Sequence, residues 1–73
     1  MTRQQYEIIR AMKQARGWIT SRQINEAIGG KGSHRNVIVQ IHYLREEHPE
    51  HLIESDLSGP ASKGYLYHGE VAA

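Results

Sequence analysis

The run Ser33-His34-Arg35-Asn36-Val37-Ile38-Val39-Gln40-Ile41-His42-Tyr43-Leu44-Arg45 constrains this chain more than any other stretch. At 100° per residue, Val37, Ile41 and Leu44 fall on one face of a helix, the spacing of a core stripe. Roughly opposite lie Arg35, Asn36, Val39, His42 and Tyr43, a mixture of donors, one small apolar group and one ring. An ordinary surface helix carries Glu and Lys there. A helix seated in the DNA major groove uses the mixture found here, because Asn pairs bidentately with adenine and a small apolar group touches a thymine methyl. Ser33 is a good N-cap, and Pro49 ends the helix at about His48.

The remaining residues supply what such a helix needs for support. Seventy-three residues suit a single domain, over 1–73 with a core at about 3–68. A domain of this size buries only about 60% of the surface its unfolded chain exposes, so its core has to be efficient. The chain has no cysteine, which removes disulfides and thiolate metal sites. No apolar run approaches a membrane span and the start does not read as a signal peptide, so a soluble, cytoplasmic protein without a membrane partner is expected.

The first helix is predicted from Arg3 to about Arg16, capped by Thr2 and closed by Gly17 in the left-handed position. Its apolar stripe is Tyr6, Ile9 and Met12, with Ile8 and Ala15 alongside. Trp18-Ile19-Thr20 is long enough only for an edge strand or a turn. Thr20-Ser21-Arg22-Gln23 is a capping box, with Ile19 and Ile24 placed as its hydrophobic staple. A second helix therefore starts at Ser21, buries Ile24, Ala27 and Ile28, and stops at Gly29-Gly30. Trp18 is either a base-stacking ring or, more simply, a cover for the edge of a small sheet.

Gly29-Gly30-Lys31-Gly32-Ser33 does not fit a phosphate loop, because Asn25 stands where the first glycine belongs and Gly32 follows the lysine. It reads as the turn between the second and third helices, with Lys31 near enough to the start of the third to touch a phosphate. After Pro49, Leu52–Leu57 and Tyr65–Tyr67 read as two strands joined by the loop 58–64, with Tyr65 and Tyr67 closing the core. The end of the chain, His68 to Ala73, reads as a frayed tail.

Charge divides along the same line. Residues 1–45 hold eight Lys or Arg against two acids, a balance of +6. Residues 46–73 hold Lys63 against six acids, a balance of −5. The basic part suits a polyanion and the acidic part limits how tightly one is held.

Three helices followed by a β-hairpin form the α+β layout of a winged helix-turn-helix, with a short strand between helices 1 and 2. Specific residues carry a further resemblance. Tyr6-Glu7-Ile8-Ile9, Gly17-Trp18-Ile19-Thr20-Ser21-Arg22-Gln23-Ile24, Ser33 and Arg35 with Val37, Val39, Ile41, Leu44 and Arg45, Leu52-Ile53 and Gly64-Tyr65 are similar to the DNA-binding effector domain of OmpR/PhoB-type response regulators. The most specific parts are the Arg-x-Val-x-Val-x-Ile-x-x-Leu-Arg pattern and the Gly-Tyr of the last strand. The resemblance implies double-stranded DNA binding in transcription regulation, with residues about 34–48 in the major groove and the 52–68 hairpin as a wing. It implies base-edge contacts from Asn36, Val39 and Tyr43, and phosphate contacts from Arg35, Gln40, His42 and Arg45. Lys63 is the wing's only cation. The receiver domain that accompanies such effector domains has no counterpart in these 73 residues. Ile38 and Tyr43 stand where the family has an acid and an arginine, and Glu46-Glu47 where it has bases.

No catalytic constellation is legible, and neither an enzyme activity nor a cofactor is expected. Ser33 and His34 are adjacent on a helix and point about 100° apart. His48 and His51 with Glu47 and Glu54 are the nearest approach to a metal ligand set, and no metal is expected there. Two functions remain open. One is sequence-specific duplex binding. The other is a winged-helix protein-interaction module, for instance for an RNA polymerase subunit, which Ile38, Val39, Tyr43 and the acidic second half favour.

Overall fold

The computed structural model describes residues 1–30 and 32–70. Three helices, α1 (Arg3–Ala15), α2 (Ser21–Ala27) and α3 (Arg35–Glu47), precede two strands, β1 (His51–Asp56) and β2 (Gly64–Glu70). The strands form one antiparallel sheet. Ile19, between α1 and α2, adds a single bridge to Tyr65, with backbone bonds of 2.9 Å and 2.8 Å in the two directions. The fold is thus a small α+β arrangement of three helices and a hairpin, with the short strand expected between α1 and α2 reduced to one residue.

Both N-terminal helices begin with reciprocal caps. Thr20 Oγ1 accepts from the Gln23 amide at 3.1 Å, and Gln23 Oε1 accepts from the Thr20 amide at 3.0 Å. The same exchange joins Thr2 and Gln5, at 3.2 Å and 3.0 Å. Each cap satisfies two amides that a helix start leaves open, a contribution of about 0.5–2 kcal/mol per capping side chain.

One cluster forms the core: Ile8, Ile9, Ala11 and Met12 of α1, Ile24 of α2, Val37, Ile41 and Leu44 of α3, Ile53 and Tyr65 of the hairpin, and Ile19 between. Ile28 and Tyr67 pack on its margin. The three-residue stripe of α3 is fully used, and the Ile19–Ile24 staple is buried at both ends. Each such aliphatic side chain contributes about 1.5–3 kcal/mol of transfer free energy.

Several expectations need correction. Tyr6 is 63% exposed and Ala15 is exposed, so the stripe of α1 runs through Ile8, Ile9, Ala11 and Met12 instead. Tyr6 lies about 60° beyond Ile9, the last residue of that stripe, and about 140° from its centre, on the outer side of the helix. Ala27 is exposed as well, because α2 ends there and only Ile24 is fully covered. The left-handed residue after α1 is Arg16, at φ 54° and ψ 27°, and not Gly17. With the chain turned at Arg16, Gly17 and Trp18 then lead to Ile19 and its bridge to the Tyr65 backbone. α3 starts at Arg35, with His34 as the preceding residue, although Ser33 Oγ still accepts from the Arg35 amide at 3.2 Å. The strand expected to end at Leu57 ends at Asp56.

Part of the expected tail belongs to the hairpin. His68, Gly69 and Glu70 belong to β2, and only 71–73 of the expected tail lie outside the described residues. The ladder shifts register between Leu52 and Ile53: Leu52 faces Gly69 and Ile53 faces Tyr67, leaving His68 without a cross-strand partner. This bulge lets His68 Nε2 approach Glu54 Oε1 to 2.8 Å. Gly64 is the tight point of the hairpin. Its φ is +93°, and a Cβ there would lie 2.3 Å from the Ile19 carbonyl oxygen.

Candidate nucleic-acid interface

Burial of Val37, Ile41 and Leu44 fixes the rotation of α3 and turns the opposite side to solvent. Arg35, Asn36, His42 and Tyr43 are exposed there, as are Ile38 and Val39. Val39 and Tyr43, 45% and 44% exposed, follow Asn36 at i+3 and i+7, one ridge along the helix. A carboxamide, an isopropyl group and a phenol in this order present a bidentate hydrogen-bonding head, a methyl-sized surface and a ring with a polar tip. Ile38, 37% exposed, widens the apolar part.

The flanking residues are committed to the fold. Gln40 is half-buried, and its Oε1 accepts from Gln5 Nε2 at 3.3 Å. Gln5 itself is buried and also caps α1, so one amide ties the start of α1 to the middle of α3. The Arg45 guanidinium reaches the hairpin, donating to the Ile53 carbonyl at 2.7 Å and to Ser55 Oγ at 3.2 Å. Those bonds tie the end of α3 to β1 and give the Ile53 carbonyl a charged donor. His42 Nε2 lies 3.2 Å from Glu46 Oε1, one turn on. Arg35 is exposed next to the start of the helix.

The turn before α3 is held by Asn25. Its side-chain amide donates to the Gly32 carbonyl at 3.1 Å, and its own carbonyl accepts from the Gly30 amide at 2.8 Å. Lys31, expected near a phosphate, lies outside the described residues.

Lys63 is not at the tip of the hairpin. It immediately precedes β2, and its Nζ lies 5.6 Å from the centroid of the Trp18 ring. Trp18 is partly buried beside the Ile19 bridge, the covering position foreseen for it. The side chain that does project past β1 is Leu57, 58% exposed, which the strand pattern had placed inside a strand.

Four of the five histidines stand within 3.5 Å of a carboxylate: His42 with Glu46, His48 with Glu50 (3.4 Å), His51 with Glu70 (3.4 Å) and His68 with Glu54. His48 and His51 therefore turn to different partners. His51, buried at the start of β1, also meets the Tyr67 hydroxyl at 2.8 Å through Nδ1. Among the described residues no three His, Asp or Glu side chains converge as metal ligands would. A backbone N–H bond to the Glu50 carboxylate holds it below the usual carboxylate range, with His48 adding to the effect. Burial pushes the Tyr65 hydroxyl above the ordinary phenol value, and burial with the Glu70 charge does the same at Tyr67. None of these groups lines the outward face of α3.

Among the described residues no helix is long and apolar enough to cross a membrane. Comparison of the chain with protein-family models, with curated proteins and with solved structures found no match.

Proposed function

We propose that this is a winged helix-turn-helix domain that binds double-stranded DNA sequence-specifically, as a transcription regulator does. In this reading α3 enters the major groove, α2 and its turn brace it, and the hairpin lies alongside as the wing. The observation that carries it is the outward ridge of α3. Asn36, Val39 and Tyr43 are solvent-facing on a helix whose opposite side is locked into the core, and Arg35 stands at its start. An exposed Asn can pair bidentately with adenine, and a small apolar group such as Val39 can meet a thymine methyl.

The arrangement of cations supports a particular balance within that reading. Arg45 and Lys63 are held by the hairpin and by Trp18, so of the described cations expected at the interface only Arg35 is left for the backbone. Base-edge contacts then contribute an unusually large share of the affinity. Titration of the protein into random-sequence duplex at two salt concentrations tests this. A log–log salt slope of about −2 to −4 is expected, from two to four phosphate contacts. Absence of any binding at low salt would refute the proposal.

A second reading has one observation in its favour. Ile38, Val39 and Tyr43 are exposed side by side, with Glu46 and Glu47 just beyond them, a surface that a protein partner such as a polymerase subunit would cover. Failure of the duplex titration selects it.

A further inference from the structure

The helix α1 has a second face that neither the core nor the α3 surface uses. Arg3, Tyr6, Arg10 and Lys13 lie on it at i, i+3, i+7 and i+10, within a sector of about 80° at 3.6 residues per turn. That is the spacing of a helix–helix seam. The groups are wet: Tyr6 is 63% exposed and Met1, beside it, 39%. With the edge of Ile9 as floor, they line an open groove of about 680 Å³. One end is marked by Lys13, whose Nζ lies 5.8 Å from the centroid of the Tyr67 ring. Three cations line it against one carboxylate, Glu7, which stands 3.5 Å from Arg3.

We propose that this face of α1 is a docking site for an acidic amphipathic helix of a partner protein. The seam spacing fits a helix laid along α1. The cations complement its carboxylates, and Tyr6 with Met1 offers an apolar seat for one or two aliphatic side chains. A nucleic acid backbone would engage the cations and leave Tyr6 and Met1 unused. A second copy fits less well. Its own α1 would bring the same cations against these, and Glu46, Glu50, Glu54 and Glu70 of its acidic half already face histidines. The site lies opposite the buried side of α1, which packs on α3, so α3 can be occupied at the same time.

Two synthetic peptides of about 16 residues, long enough to hold some helix, make the test. One is Glu-rich with Leu on a single helical face. The other has the same composition scrambled so that no face is apolar. The first should bind the intact protein and perturb the amide signals of residues 3–13. Tyr6→Ala and Arg10→Glu should each weaken it at least about tenfold, the loss typical of a contact residue that matters. Thermal midpoints and duplex affinity should stay unchanged, because both side chains are exposed and lie on the side of α1 turned away from the core. Equal binding of the scrambled peptide would overturn the proposal, and so would perturbation confined to α3. A larger loss of duplex affinity than of peptide affinity in Arg10→Glu would assign the face to nucleic acid. Self-association by sedimentation that Arg10→Glu abolishes would assign it to a second copy.

Discussion

Replacing Arg45 by Ala separates two roles that the sequence alone leaves merged. As a phosphate contact, Arg45 would matter for affinity and not for stability. In the structure its guanidinium makes two hydrogen bonds to β1, at 2.7 Å to the Ile53 carbonyl and 3.2 Å to Ser55 Oγ. A hydrogen bond from a charged donor contributes about 1.5–3 kcal/mol where the partners are shielded from water. Arg45 is exposed, and water can replace it at the strand edge, so about 1.5 kcal/mol for the pair is the reasonable sum. In a domain this small that corresponds to a fall in Tm of about 6–12 °C. Arg45→Lys keeps the charge and loses the fork, so it should melt nearly as early as the Ala variant. The duplex salt slope, measured well below either midpoint, should remain that of the wild type. An Arg45→Ala melt that overlays the wild type, with a slope flattened by about one unit, would refute the anchoring role and return Arg45 to the phosphates.

The core, the hairpin corner and the two tyrosines each carry a further expected outcome. Ile41 is 1% exposed at the centre of the core, and Ile41→Ala should cost about 2–5 kcal/mol, read from a denaturant midpoint. Gly64→Ala should cost more than about 1 kcal/mol, because its φ is +93° and the new Cβ would press on the Ile19 carbonyl; an unchanged melt would mean that this corner yields. Tyr65 and Tyr67 titrate above the ordinary phenol value in the folded state. The neutral phenols are therefore the stable forms, and stability should be complete below about pH 10 and decline as pH rises through their folded values. Tyr65→Phe, followed by melting between pH 8 and pH 11, should remove part of that decline.

Local signals were the legible ones. The Thr20-Ser21-Arg22-Gln23 box, the Ile19–Ile24 staple and the Val37, Ile41, Leu44 stripe depend on residues within one or two helical turns, and the fold realises all three. The hairpin and its two tyrosines were legible for the same reason. What escaped was set across the chain. The left-handed turn falls at Arg16 instead of Gly17, and the bridge of Ile19 to Tyr65 that follows it joins residues 46 positions apart. The bonds of Arg45 to β1 and of Gln40 to Gln5 join residues far apart in sequence, so nothing local announced them. The Thr2–Gln5 cap was half visible, since Gln5 at N3 completes the pattern; its burial against Gln40 was not. Tyr6 illustrates the limit of periodicity, because a ring beside a stripe is decided by what packs nearby.

The proposal that α3 reads base edges meets its most direct test at Asn36. Duplexes selected from a random pool by the wild-type protein define a preferred sequence, and Asn36→Ala is then measured against that sequence and every single-base variant of it. Because Asn36 is exposed and its side chain makes no hydrogen bond among the described residues, the variant should fold and melt as the wild type does. It should lose discrimination at one base pair, by about 1–3 kcal/mol for a bidentate contact, and keep it elsewhere. An Asn36→Ala profile identical to the wild type at every position, or a pool from which no preferred sequence emerges, would contradict the account.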